Sequence, residues 1–569
     1  MLEDRNQEDG VTRPLLQGPE GGKPEQPEPQ LLQHVQKSHE WAQDTALWGD
    51  GLRPAEFATP GAQTFLSSAP AQIGAEMGCS RWTAVVGSLF VVVFSIIALI
   101  LIAVEVKNVL LPPGTKYAMV FDAGSSHTAL YIYQWPADKE NDTGIVSQVE
   151  ACTVAGPGIS SYINNPSKAG ASLKVCLDKA MTLIPANQQR ETPTYLGATA
   201  GMRLLRELNS TKADQVLAEV SKAIQEYPVD FQGARILTGN EEGSFGWITV
   251  NYLLETLIKF SFSGKWVHPY GTEVLGALDL GGASTQITFQ PSGTIEDNST
   301  KVFFRLYGTN YSIYTHSYLC YGRDQALKML LASLSKVNIA AQQISHPCYP
   351  KGYEMNITTA ALYDSPCVPA TPTSNKTLTF RGTGVPAECR SSIQKLFNLT
   401  ECGAGKMCGF NGVYQPLVHG QFFAFSGFYY TFNFLNLTSG QSFSTVNTTI
   451  WDFCTKDWKE LQASYPQEKE VRLSNYCASA FYILTLLHEG YKFNEQTWSN
   501  IHFRQQAGNT DIGWTLGYVL NLSNMIPTEA REQVTGHWHS LWAAAVAFIV
   551  LTLIVGLVAI ALQFLWSPK

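Results

Sequence analysis

Two stretches of this chain repeat one arrangement of residue types. Tyr117–Tyr133 runs as an apolar strand into Asp122-Ala-Gly124-Ser125-Ser126-His127-Thr128 and leaves as an alternating strand. Val274–Phe289 does the same through Asp279-Leu-Gly281-Gly282-Ala283-Ser284-Thr285-Gln286. Aligning Asp122 with Asp279 places Gly124 on Gly281 and Thr128 on Thr285, 157 residues apart. Glycines there allow tight turns and let backbone N–H groups approach phosphate oxygens. An aspartate at the strand end can hold a hydrated divalent cation against those phosphates. A single Asp-x-Gly-x-x-x-Thr is ordinarily a hairpin turn. Two copies, each in a strand–turn–strand setting, predict two related α/β lobes facing one site.

Between the loops lie Gly197-Ala-Thr199-Ala-Gly-Met-Arg203 and Thr238-Gly-Asn-Glu241-Glu242-Gly243. The first reads as a turn opening a helix, with a hydroxyl and an arginine for phosphate or structural duty. The second sets paired carboxylates before the apolar run Trp247–Leu254. Such a pair usually marks only a helix start. Between two phosphate loops, one of them becomes a general base for activating water. Two other patterns are decoys. Gly403-Ala-Gly405-Lys406 lacks the Ser or Thr of a P-loop, since Met407 follows, and reads better as a small disulfide loop between Cys402 and Cys408. His346-Pro-Cys348 has no second spaced pair to make a zinc site.

The elements that hold these residues belong to a 569-residue chain with 39 Lys+Arg against 47 Asp+Glu. That balance offers no basic surface for nucleic acid. With 45% hydrophobic and 15% charged residues the chain is too apolar for a disordered one. Two uncharged runs, Trp82–Val104 and Leu541–Leu562, are each long enough to cross a bilayer as a helix. Ten of the eleven cysteines and ten Asn-x-Ser/Thr sequons lie between them, and none of the sequons lies before the first run. That distribution predicts an oxidised, glycosylated extracellular body with both termini cytosolic. Residues 1–80, rich in Gln, Glu, Pro and Gly, read as a disordered tail in which Met77 could serve as an internal start and Cys79 stands at the membrane boundary.

In these motifs the chain resembles the ectonucleoside triphosphate diphosphohydrolases of the actin/Hsp70/sugar-kinase superfamily. Asp122–Thr128, Gly197–Arg203, Thr238–Trp247, Asp279–Gln286 and Phe425–Tyr430 look like the family's five apyrase-conserved regions. The resemblance implies two RNase H-like lobes forming a cleft, anchored by a transmembrane helix at each end. The implied divisions are a tail at 1–80, a first transmembrane helix at 82–104, lobe I at 113–238, lobe II at 239–504, a return segment to lobe I at 505–535, a second transmembrane helix at 541–562 and a short tail at 563–569. Glu242 matches the catalytic base, with Ser284 and Gln286 positioning the water. Asp122 and Asp279 match the carboxylates that organise Ca²⁺ or Mg²⁺ through water, and Thr199 a hydroxyl near that water shell. Ser125, Ser126 and His127 match one phosphate loop, Gly282 and Ala283 the other. Tyr430, or its neighbour Tyr429, matches one half of a nucleobase sandwich with Arg472.

The cysteine pattern resembles the framework Cys152–Cys176, Cys320–Cys367, Cys348–Cys389, Cys402–Cys408 and Cys454–Cys477. The membrane helices resemble those through which family members oligomerise. The implied activity is plasma-membrane hydrolysis of ATP, ADP, UTP and UDP to the monophosphate, shaping purinergic signals. The alternative is a catalytically silent nucleotide receptor on the same scaffold; a kinase of the same fold fits poorly with the sequons and disulfides.

Overall fold

The computed structural model describes residues 76–103, 107–337, 343–368, 375–400, 407–536 and 539–565. The tail before residue 76 lies outside them, as do Cys402 and the Gly403–Lys406 loop.

A five-stranded mixed sheet carries the first loop. Its strands are β1 (Thr115–Ala123), β2 (Thr128–Pro136), β3 (Ser147–Thr153), β4 (Pro193–Ala198) and β5 (Asp230–Ile236), in the order β3-β2-β1-β4-β5. The hairpin strands pair antiparallel, whereas β4 and β5 run parallel to β1. A six-stranded sheet carries the second loop, built from β6 (Gly276–Leu280), β7 (Ser284–Phe289), β8 (Lys301–Leu306), β9 (Thr309–Leu319), β10 (Phe422–Ser426) and β11 (Ile501–Phe503). Its order is β8-β9-β7-β6-β10-β11. Removing β8 leaves the same pairing as the first sheet, with β6 in the place of β1 and parallel strands on the same side. The repeat seen in the sequence is a repeat of topology.

Strand parity explains where the two aspartates point, because successive side chains on a strand face opposite ways. Met119 and Phe121 join a core on the outer side of the first sheet, while Ala118 and Val120 join a central core between the sheets. Asp122 follows the even residues inward. In the second sheet Leu278 and Leu280 face outward and Ala277 inward, so Asp279 also points to the centre.

Helix α1 (Ala200–Leu208) starts at Thr199 beside the first loop, and α2 (Gly239–Leu253) occupies the central layer. Because α2 is buried from Glu242 to Leu253, its apolar residues are not confined to one stripe, and Glu242, Ser244, Thr249 and Asn251 are buried with them. Its start is fixed by a capping box: Thr238 Oγ1 accepts the Glu241 N–H at 3.2 Å, and Glu241 Oε2 accepts the Thr238 N–H at 2.8 Å. Helices α3 (Arg323–Val337), α4 (Gly427–Phe434) and α5 (Glu470–Thr485) belong to the second sheet's side. Helix α6 (Trp514–Ser523) packs on α2 and on β1 and β2. Gly517 makes that approach possible, since a Cβ there would stand 1.9 Å from the Phe245 carbonyl oxygen.

The terminal helices, Glu76–Ala103 and His539–Leu565, are long and apolar enough to span a membrane. They pack on each other, with Phe94 against Phe548 at 5.7 Å between ring centroids. Lys107–Leu110 and Gln533–Gly536 pair as an antiparallel ribbon where the two helices meet the body. Cys152–Cys176, Cys320–Cys367, Cys348–Cys389 and Cys454–Cys477 are bonded as the resemblance implied. Cys348 is therefore spent on a disulfide and is unavailable to a zinc ion. His346 is buried and stacked on Tyr349.

Candidate active site

The first loop turns between β1 and β2 against two glycines. A Cβ on Gly158 would lie 2.4 Å from the Gly124 carbonyl oxygen, and one on Gly201 2.8 Å from the Ser125 Cα. Thr199, the residue before α1, is buried and donates its N–H to the Ala123 carbonyl at 3.1 Å. This loop is braced by α1's first turn. The second loop is braced by α3: the Arg323 and Asp324 N–H groups donate to Gly281 and Gly282 carbonyls, each at 2.9 Å. Cys320 N–H adds a bond to Ala283 at 2.8 Å.

The two loops face each other at close range. A Cβ on Gly282 would stand 2.7 Å from the hydroxyls of both Ser125 and Ser126. The Ser126 hydroxyl also reaches Asp324 at 3.4 Å. His127 lies at the exposed end of the same turn.

Glu242 reaches the second sheet because α2 presents glycines to it. A Cβ on Gly243 would be 2.7 Å from Thr288 Oγ1, 2.8 Å from Thr315 Oγ1 and 3.2 Å from the Gln286 Cβ. Gly239, one turn earlier, abuts Ser317 in the same way at 2.2 Å. The carboxylate is thereby buried within a network of four partners. Its Oε2 accepts from the Arg203 guanidinium and from Gln286 Nε2 at 3.2 Å. Gln286 Nε2 also lies 2.7 Å from Ser284 Oγ and 2.9 Å from Ser317 Oγ. Burial pushes the Glu242 pKa up, and Arg203 draws it back down.

Asp122 and Asp279 lie within electrostatic range of Glu242 and of each other. Burial raises the Asp122 pKa to about 7, with Glu242 adding to it and the Trp514 indole opposing it. Burial likewise raises Asp279 to about 8, with Glu242 and Asp122 adding to it; the Ser426 hydroxyl and the Leu280 N–H oppose it. Ser426 has a φ of +54°, a strained value for a non-glycine residue, at the junction that turns its hydroxyl to Asp279.

These residues suit a divalent cation carried with its water. Among the described residues Asp122 Oδ1 and Trp514 Nε1 are buried without a well-formed hydrogen bond, although the indole is close enough to favour the charged carboxylate. Polar groups in that state call for a hydrogen-bonding neighbour. Among the described residues, no group of three or more His, Cys, Asp or Glu is arranged to ligate a metal directly. Two facing carboxylates, one of them with an orphaned oxygen, therefore fit an ion held through its hydration shell.

The structure thus brings together Asp122, Asp279, Glu242, Ser284, Gln286, Thr199, Gly282, Ala283, Ser125, Ser126 and His127. Tyr430 and Arg472 stand outside the Glu242 network. Tyr430 is half exposed on α4, within electrostatic range of Asp279 and Asp511. Tyr429 packs against the second sheet's core and touches Tyr430 edge-on. Arg472 is exposed on the first turn of α5, 3.9 Å from Glu468. Sequence reasoning missed Ser317, Trp514's proximity to Asp122, and Ser426. It noted Arg203 without finding its partner.

A sequence profile of the GDA1/CD39 (nucleoside phosphatase) family matches residues 108–536. A Gallus gallus protein named ectonucleoside triphosphate diphosphohydrolase 8 is 72% identical over 480 residues, covering 84% of this chain and 97% of that one. The Homo sapiens protein of the same name is 56% identical over 472 residues, covering 82% and 95%. Among solved structures, nucleoside triphosphate hydrolases from Neospora caninum align with a TM-score of 0.54 at 14% identity, over 79% of this chain and 96% of that one. That last likeness is one of fold.

Proposed function

From the premise that this chain belongs to the GDA1/CD39 nucleoside phosphatase family and is a nucleoside triphosphate diphosphohydrolase, we propose that it removes the terminal phosphate from ATP and UTP, and then from ADP and UDP, stopping at the monophosphate. The observation that carries this reading is the divided Glu242 carboxylate. Arg203 and Gln286 both bind Oε2, which leaves Oε1 as the oxygen to take a proton.

In the proposed reaction, water held by Ser284 and Gln286 loses a proton to Glu242 Oε1 and attacks the terminal phosphorus in line. A new P–O bond forms as the bridging P–O bond breaks, and the nucleotide leaves with one phosphate fewer. Backbone N–H groups of the two loops meet the equatorial oxygens, which carry the developing charge. Ca²⁺ or Mg²⁺, held by Asp122 and Asp279 through water, would neutralise phosphate oxygens and the leaving group. Thr199 adds a hydroxyl near that shell. Tyr430 and Arg472 would stack on the base, a contact open to purines and pyrimidines alike.

The setting supports an extracellular site at the plasma membrane. Eight of the ten sequon asparagines are exposed; Asn447 and Asn521 are part-buried and poor acceptors. The described disulfides suit an oxidising compartment. The proposed division has lobes at 113–238 and 239–504 with 505–535 returning to lobe I; contacts of α6 with β1 and β2 support the return, while its more extensive packing on α2 ties it to lobe II as well. Self-association through the terminal helices would follow from their largely uncovered apolar faces. The deciding experiment measures phosphate release from ATP, ADP and AMP by the membrane-bound protein, with Ca²⁺ and then with EDTA. Cation-dependent cleavage of ATP and ADP but not AMP is the expected result; nucleotide binding without turnover would replace it with a silent receptor.

A further inference from the structure

We propose that Ser317 is a positioning residue for this reaction, tying the Gln286 amide to the guanidinium that holds the catalytic base. The inference rests on the assignment of Glu242 as that base.

Ser317 stands directly opposite Gln286 in the β7–β9 pair, and Gln286 stands directly opposite Asp279 in the β6–β7 pair. Residues directly opposed share a sheet face. Asp279, Gln286 and Ser317 thus form one row across three strands, facing α2. The row joins the cation-organising carboxylate, the water-positioning amide and a hydroxyl with no assigned task.

The hydrogen bonds give that hydroxyl its task. Ser317 Oγ accepts from Gln286 Nε2 at 2.9 Å and from Arg203 Nη1 at 3.3 Å. The other terminal nitrogen of Arg203, Nη2, binds Glu242 Oε2 and lies 3.3 Å from Ser284 Oγ. One serine oxygen therefore ties the amide to the guanidinium that holds the base. An amide can rotate its oxygen and nitrogen into each other's places, and only the network decides between them. A carboxylate oxygen must accept, so it selects Nε2. Nε2, held by Glu242, then directs its other hydrogen to Ser317 Oγ, which has a lone pair left beside the one receiving Arg203. Gln286 Oε1 is then the other group, buried and without a hydrogen-bond partner among the described residues, able to accept a hydrogen from the attacking water.

Residue type follows from these demands. Alanine would leave two buried donors with one acceptor fewer. Aspartate would set another negative charge beside Glu242, Asp122 and Asp279. Gly239 rests against the Ser317 side chain, so a larger residue would push α2 away.

The test is Ser317→Ala in the full-length membrane protein, which keeps the Cβ and removes only the oxygen. Ser317→Cys serves as a second variant, of similar size but a poor acceptor. Turnover per folded molecule should fall roughly tenfold with KM within about twofold, as expected when one positioning hydrogen bond is lost without a substrate contact. In a Gln286→Ala background, Ser317→Ala should cost little more, because both act through one amide. Unchanged kcat in both variants, a proportional rise in KM, or losses that multiply with Gln286→Ala would each overturn the proposal. Glu242→Gln in the same assay separates the two readings. Near-normal turnover there removes the assigned base itself; an inactive Glu242→Gln beside a normal Ser317→Ala removes only the role of Ser317.

Discussion

Arg203 and Glu242, brought together from α1 and α2, form a buried ion pair on the carboxylate oxygen that Gln286 also touches. The pair favours the charged form of a buried carboxylate that has two others within electrostatic range. Replacing Glu242 by Gln keeps the shape and removes the proposed proton acceptor. Turnover should fall by roughly 10²–10⁴, the usual worth of a general base, and single-turnover phosphate release checks it.

Arg203→Met tests the other half. It leaves a buried carboxylate unpaired, which typically costs about 3–5 kcal/mol. Arg203 lowers the Glu242 pKa, so its loss raises that pKa and leaves less base ionised at a given pH. The acid limb of kcat/KM should move to higher pH. An acid limb that stays in place, in a variant shown by melting to be folded, would count against the pairing.

Gly243→Ala should be more damaging than Gly246→Ala on the same helix. The first Cβ would meet two threonine hydroxyls below 3.0 Å, whereas the second meets only the Phe425 ring edge at 3.3 Å. Overpacking of this kind costs about 1–3 kcal/mol, and at Gly243 it also lifts Glu242 from Gln286. Parallel melting curves and kcat values for the two variants decide the matter.

Gly197→Ala addresses the proposed cation site from behind. Gly197 lies beside Asp122 in the β1–β4 pair, and a Cβ there would stand 2.3 Å from the Trp514 ring. The indole should be displaced from Asp122, raising the Ca²⁺ or Mg²⁺ concentration needed for half-maximal activity severalfold. Cation titrations of the variant and its parent test this, with EDTA abolishing turnover in both.

Acid should destabilise the body between the terminal helices through His346, which is buried, and His316, which is part-buried. Burial lowers the His316 pKa to about 4 and the His346 pKa to about 3, both below the ordinary 6.5. The unfolded chain then binds more protons than the folded one below pH 6.5. Stability from these groups is complete above that value and is lost as pH falls toward 4 and 3. Melting temperature should decline across that window, and a folded His346→Gln variant should show a shallower decline.

The sequence displayed what is local and concealed what strand pairing assembles. Asp122, Asp279 and their glycines were visible because each loop is continuous in the chain and is repeated once. Glu242 was visible as one of two candidates, and the structure separates them: Glu241 caps the helix while Glu242 turns inward. Ser317, by contrast, sits in the eleven-residue strand Thr309–Leu319 with nothing locally unusual about it. Its meaning comes from lying opposite Gln286, 31 residues earlier. Trp514 reaches Asp122 from the far end of the chain. The disulfides came from family resemblance, since spacing leaves many connectivities open.

The row Asp279–Gln286–Ser317 carries one more consequence. Side chains alternate along a strand, so slipping β7 by one residue would turn Gln286 out of the cleft and bring in Thr285 or Ile287. No slipped form could retain partial activity by small adjustment. Catalytic output per molecule is then a count of correctly paired sheets: a partly renatured preparation would hold a mixture of fully competent and wholly inert molecules, with a lowered yield and an unchanged KM.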